Sequence, residues 1–135
     1  MSGSLDQLCC VTIFVSDLDR AKAFYQRAFD LPITYEDPNS AVFRFGAVVI
    51  NLLDEREADT LIGPAVVAPS GVGARSQFTI TVEDVNGWCA TLSGRGVTLN
   101  NGPIDRPWGM RTASFLDPDG HVWEIAQEIG DPEPA

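Results

Sequence analysis

Two pairs of stretches in the chain match each other. IFVSDLD at 13–19 lies over ITVEDVN at 80–86, an offset of 67 residues, and AVVINLL at 47–53 lies over GHVWEIA at 120–126, an offset of 73. Self-similarity at a fixed spacing marks a duplicated supersecondary unit, and the six extra residues fall near 100–108. Each unit reads as strand, helix and three strands. Such a module cannot cover both faces of its own sheet, so two of them are expected to pack together. The predicted fold is α+β, with two βαβββ modules forming a curved mixed sheet around a cleft.

Local chemistry fills in the elements. LCCVTIFV at 8–15 is short and β-branched and reads as a strand, with Cys9, Val11, Ile13 and Val15 on one face and Cys10, Thr12 and Phe14 on the other. Ser16 or Asp17 can cap the next helix, in which Leu18, Ala21, Phe24 or Tyr25, and Ala28 recur at helical spacing. Strands follow at 33–35, 41–45 and 47–53. In the second half, strands are expected at 77–82, 97–99, 111–116 and 121–126. DVNGWCATLS at 84–93 forms the helix there, with Val85, Trp88, Cys89 and Leu92 inward. DPDG at 117–120 is a turn, because proline fixes one dihedral and glycine supplies the permissive position. The expected organisation is a single domain at 5–129: module one at 5–55, a glycine- and proline-rich linker at 56–75, module two at 76–129, and a tail at 130–135.

Composition narrows the function classes. Nine basic against nineteen acidic side chains give a formal charge of −10, which disfavours nucleic acid and helps attract a cationic ligand. No run approaches the length of a membrane span, and no basic-then-apolar leader opens the chain, so a cytoplasmic protein is expected. Cys9, Cys10 and Cys89 are an odd number in apolar segments and read as buried free thiols.

VSDLDRAKAFYQRAFDLP at 15–32 and RPWGMRTASFLDPDGHVWEIAQ at 106–127 carry a family resemblance. They resemble the opening and closing signatures of the vicinal oxygen chelate superfamily, which includes glyoxalase I, bleomycin resistance proteins and extradiol dioxygenases. One departure is Asp30, where the family usually has glycine. The resemblance implies four inward positions, which fall on Cys10, Asn51, Gln77 and Glu124. Metal-binding members carry histidine, glutamine or acidic residues there. Here Glu124 is a conventional hard ligand and Gln77 a tolerable one, whereas Cys10 and Asn51 depart from the pattern. The chain is therefore closest in character to the metal-free binding members: no cofactor is expected, the alternative being a divalent metal held by Gln77 and Glu124. The family also implies a homodimer.

His121 is the single histidine, and its odd spacing from Glu124 puts the two on opposite faces of a strand. It reads as a turn residue. The expected ligand-binding set is Cys10, Thr12, Phe14, Phe43, Asn51, Gln77, Thr79, Trp108, Arg111 and Glu124, with Phe45, Met110 and other neighbours as walls. Trp108 offers a flat aromatic surface or plugs the sheet end. Glu124 is the polar anchor for a small organic ligand, or the general base if the protein is an enzyme, or else the ion-pair partner of Arg106 or Arg111. The leading expectation is a metal-independent small-molecule binding protein that sequesters an antibiotic or another aromatic or cationic ligand. The alternative is a glyoxalase-like lyase, isomerase or dioxygenase with an atypical metal site.

Overall fold

The structure is a computed structural model that describes residues 5–130. The chain divides between Ser70 and Gly71 into two compact units, each built on one four-stranded mixed sheet. The expected tail at 130–135 lies outside the described residues except for Gly130.

In the first unit the elements are β1 (Cys10–Val15), α1 (Leu18–Phe29), β2 (Ile33–Asp37), β3 (Ser40–Phe45) and β4 (Val48–Asp54). The sheet order is β1-β4-β3-β2, with β1 parallel to β4 and the other pairs antiparallel. Helix α1 begins where the Asp17 carboxylate accepts a 3.1 Å hydrogen bond from the Arg20 amide. That bond satisfies one of the first-turn donors that the helix itself leaves open. The expected apolar stripe is the one that is buried: Leu18, Ala21, Phe24, Tyr25 and Ala28. Alternation in the strands sends Ile13, Val15, Ala41, Phe43, Ile50 and Leu52 to the same core. The Tyr25 ring lies 5.5 Å from Phe29 and 5.9 Å from Phe43, and each such ring removed from water contributes about 1.5–3 kcal/mol. Asp30 closes the helix in the left-handed region at φ 52° and donates its amide to the Gln26 carbonyl. That conformation suits glycine best, and aspartate tolerates it at some cost.

The second unit contains β5 (Gln77–Thr81), α3 (Val85–Gly94), β6 (Leu99–Asp105), β7 (Met110–Leu116) and β8 (Val122–Glu128), in the order β5-β8-β7-β6. It repeats the first unit's pattern, with β5 parallel to β8 and the rest antiparallel. Asp84 caps α3 by accepting from the Gly87 amide at 3.0 Å, and the Gln127 side chain accepts from the Val85 amide at 2.9 Å, tying the helix start to β8. Ala113, Phe115, Trp123 and Ile125 form the core beneath α3 with Val85 and Leu92. The DPDG turn folds around Asp117. Its carboxylate accepts from the Asp119 and His121 amides at 3.0 and 2.8 Å, and its carbonyl accepts from Gly120.

Several expectations are corrected. The stretch read as a linker at 56–75 opens with a 3-10 turn at Glu55–Glu57 and the helix α2 (Ala58–Ile62), started by Asp54, which accepts from the Arg56 amide and guanidinium. The strand expected at 97–99 instead begins at Leu99 and runs to Asp105. Pro103 is tolerated there because β6 is an edge strand, and its register shifts twice, between Leu99 and Asn101 and between Asn101 and Ile104. Trp88 and Cys89 are not inward as Val85 and Leu92 are: Trp88 is 41% exposed beneath the Arg95 guanidinium, and Cys89 is half-buried. Cys9 and Cys10 are exposed rather than buried, because they stand at or just before the start of edge strand β1. All three thiols are free, and burial pushes that of Cys89 upward.

Candidate functional site

Each sheet has one face covered by its long helix and one helix-free, or open, face, on which Gln77 and Thr79 are exposed but Thr112 and Ser114 are buried, and strand parity decides which side chains stand there. In the second unit these are Gln77 and Thr79 on β5, Val122 and Glu124 on β8, and Thr112 and Ser114 on β7, matched by the pairs Gln77–Val122, Thr79–Glu124 and Ser114–Glu124. Glu124 is therefore flanked by hydroxyls on both neighbouring strands. Thr79 Oγ1 donates to Glu124 Oε1 at 2.9 Å. On the other side, Ser114 donates to Asn101 Oδ1 at 2.9 Å and accepts from Asn100 Nδ2 at 3.1 Å. The result is a polar row across all four strands. Hydroxyls, amides and one carboxylate in line can hold a polar ligand edge by directed hydrogen bonds.

In the first unit the open face carries Cys10, Thr12 and Phe14 on β1 and Val49, Asn51 and Leu53 on β4, paired in register. Asn51 Nδ2 donates a long 3.4 Å bond to Thr12 Oγ1. Cys10 is exposed, and Thr12, Phe14 and Asn51 are half-buried. This half of the set is mostly apolar, with one amide-hydroxyl pair.

Two members of the expected set stand on the wrong side. Phe43 is fully buried and packs on Tyr25, because β3 presents its odd-numbered residues, Ala41, Phe43 and Phe45, to α1. Phe45 likewise meets Phe29, ring to ring at 5.1 Å. Arg111 pairs in register with Gln127, on the helix-covered face opposite Glu124. Its guanidinium bonds Asp105 at 2.7 Å and holds that carboxyl below the usual range. Arg111 is thus not the partner of Glu124, and the Arg106 Nε atom donates to Thr112 Oγ1 at 2.9 Å. Trp108 occupies the β6–β7 turn, 65% exposed, with the Arg106 guanidinium 5.9 Å from its ring centroid. His121 stands in the turn before β8, its amide donating to the Asp117 carboxylate.

Ser114, Asn100 and Asn101 were not anticipated. The signal for Ser114 was present in the alternation of TASFL against HVWEI, which places it beside Glu124 once the β7–β8 hairpin is drawn. A separate groove of about 420 Å³ in the first unit, lined by Asp37, Pro38, Ser40, Leu53, Glu57 and Leu61 among others, was also missed, because α2 forms one wall. The Asn39 amide holds the Asp37 carboxyl below its usual range, with help from Ser40 and Tyr35.

A sequence model of the Glyoxalase/Bleomycin resistance protein/Dioxygenase superfamily matches residues 6–125. The chain belongs to that superfamily. An uncharacterized protein of Mycobacterium bovis is 26% identical over 124 residues, covering 87% of this chain and 80% of its own length. Among solved structures, a glyoxalase/bleomycin resistance protein/dioxygenase from Nocardioides superposes with a TM-score of 0.85 at 21% identity, covering 99% of this chain and 92% of that one. A glyoxalase-related enzyme from Fulvimarina pelagi gives 0.78 at 23%, covering 97% and 94%. Lactoylglutathione lyase from Agrobacterium tumefaciens gives 0.72 at 21%, covering 90% and 93%. These likenesses establish the shared fold.

Some members of the superfamily carry a divalent metal, so the donor set matters. The first unit offers an exposed thiol at Cys10 and an amide at Asn51 that is turned to Thr12. The second offers the Gln77 amide and Glu124, one of whose oxygens accepts from Thr79. Among the described residues no three His, Cys, Asp or Glu side chains cluster as a metal-binding group. Within the second unit Gln77 and Glu124 supply one amide and one carboxylate, which by themselves fall short of the oxygen shell of Mg²⁺ or Mn²⁺ and of the histidine-rich shell of Fe²⁺. No helix among the described residues is long and apolar enough to cross a membrane.

Proposed function

We propose that this member of the superfamily is a metal-independent small-molecule binding protein, with Glu124 as the polar anchor of an aromatic or cationic organic ligand. The observation that carries the proposal is the hydrogen bond from Thr79 to Glu124, which orients a carboxylate on a sheet face whose other implied ligand position, Gln77, is a weak metal donor. A formal charge of −10 supports a cationic partner by long-range attraction. An antibiotic of the bleomycin type is one such ligand, and sequestration is the activity that binding alone would deliver.

The competing reading is a glyoxalase-like lyase, isomerase or dioxygenase with a divalent ion at Gln77 and Glu124. One observation favours it: both side chains stand on the same face of adjacent strands. Elemental analysis of untagged protein purified without chelator, followed by fluorescence titration with bleomycin and with simple aromatic cations, separates the two. Binding to metal-free protein that weakens at least tenfold in Glu124→Gln is the expected result. Stoichiometric metal that is lost in both Gln77→Ala and Glu124→Gln would refute the proposal. We also propose a homodimer, which a monomeric mass in sedimentation at micromolar concentration would disprove.

A further inference from the structure

We infer that the ligand of the second unit is zwitterionic, with its ammonium on Glu124 and a carboxylate on Arg106, as in a small aromatic amino acid. The inference rests on Glu124 being the ligand anchor and adds an oppositely charged contact on the same sheet face. Arg106 follows β6 directly, and its amide donates to the Met110 carbonyl at 2.7 Å, which sets it opposite Met110 across the β6–β7 turn. Its Nε atom donates to Thr112 Oγ1 at 2.9 Å. Met110, Thr112 and Ser114 alternate onto one face of β7, and Ser114 pairs in register with Glu124. The guanidinium and the Glu124 carboxylate therefore belong to the same helix-free face.

The two charges do not meet. Among the described residues Arg106 makes no ion pair, and the side-chain partner of Glu124 is Thr79. Each is tethered by a neutral hydroxyl on its outer side: Glu124 by Thr79 on β5, and Arg106 by Thr112, with the Trp108 ring centroid 5.9 Å from the guanidinium. The carboxylate next to Arg106 in sequence, Asp105, is taken by Arg111 at 2.7 Å. Glu128 stands on the same face, opposite Met110, and is likewise not paired with Arg106. Thr112 is the diagonal neighbour of Glu124 across the β7–β8 ladder, about 7–8 Å away along the sheet. One small molecule can touch both groups. A guanidinium has five N–H donors, of which Thr112 takes one, and the rest suit a carboxylate held as a fork. A ligand carrying only an ammonium would place its charge near that of Arg106 and be repelled, whereas a carboxylate beside the ammonium turns that repulsion into attraction.

The test uses three probes with a common aromatic body: phenylalanine carries both charges, phenethylamine the ammonium alone and 3-phenylpropionate the carboxylate alone. Each is titrated into ¹⁵N-labelled full-length protein while the amide signals of Arg106, Thr112 and Glu124 are followed. Phenylalanine is expected to bind about tenfold tighter than either other probe, the contribution of one charge-assisted hydrogen bond. Arg106→Gln, which keeps a donor for Thr112, is expected to weaken phenylalanine about tenfold and leave phenethylamine no weaker. Glu124→Gln is expected to weaken phenylalanine and phenethylamine but not 3-phenylpropionate, and Glu128→Gln to leave the order of the three unchanged. If Glu124→Gln weakens phenethylamine while Arg106→Gln leaves phenylalanine unchanged, this inference falls and the anchor stands. If Glu124→Gln leaves both amine probes unchanged, or no probe moves those signals, the anchor falls and takes the inference with it.

Discussion

Gly102 sits at a φ of +92° within β6, at the second register shift against β7. A Cβ built there would lie 2.5 Å from the Thr112 carbonyl oxygen and 2.6 Å from the Ala113 Cα, both backbone atoms of the neighbouring strand. Neither neighbour can rotate away, so one strand must move. Gly102→Ala therefore incurs two costs. The left-handed conformation costs an L-residue roughly 1–2 kcal/mol, and forcing an extra methyl into filled space costs roughly 1–3 kcal/mol more. The expected loss is about 2–5 kcal/mol, a large share of a small protein's stability. Gly46→Ala supplies the control, because Gly46 also has a positive φ, +65°, but nothing stands within 4 Å of its Cβ position. Only the conformational cost of about 1–2 kcal/mol applies there. Urea denaturation of both variants at equal m-value reads the difference. Equal losses at the two positions would show that β6 and β7 are not in close contact at Gly102, and the steric argument would fail.

Phe43→Ala should cost about 3–5 kcal/mol in the same assay and leave ligand affinity per folded molecule unchanged, since the ring is buried against Tyr25 on the helix side. A loss under 1 kcal/mol would contradict that placement. Asp30→Gly should raise stability by up to about 1 kcal/mol by relieving the left-handed helix cap, read as an increased urea midpoint. The Asp54 carboxyl, held below the usual range by the Arg56 guanidinium and amide, stabilises the native state above its unfolded pKa. That contribution is lost as pH falls from the unfolded value through the lower folded one. Asp54→Asn should therefore lower stability at neutral pH and flatten the acid limb of the midpoint-versus-pH curve. An unchanged acid limb would exclude Asp54 from it.

The repeat made the architecture legible, because the same strand-helix-three-strand pattern appears twice and parity within each strand separates core from open face. That is why parity alone places Glu124, Thr79 and Gln77 on one face, whereas Asn51 follows from the family resemblance. Phe43 and Arg111 show where parity fails when it is not counted through. They share their faces with Ala41 and Ala113, which are fully buried in the core. The strand at 99–105 was hidden because NNGPID contains the residues that signal loops, and an edge position with two register shifts accommodates them. The Thr79–Glu124 bond required knowing which strands are neighbours. In sequence the two residues are 45 apart, and only the parallel β5–β8 pairing brings them together.

The same pairing decides when the Thr79–Glu124 bond can form. In each unit the strand that is last in sequence lies inside the sheet, between the first strand and the third, so the ladder closes from the middle. Until β8 inserts, β5 has no strand partner and the hydroxyl of Thr79 has no carboxylate to bind. The Thr79–Glu124 bond therefore depends on the last backbone ladder of the second unit, and the amides around Glu124 should be among the slowest in the unit to exchange with solvent.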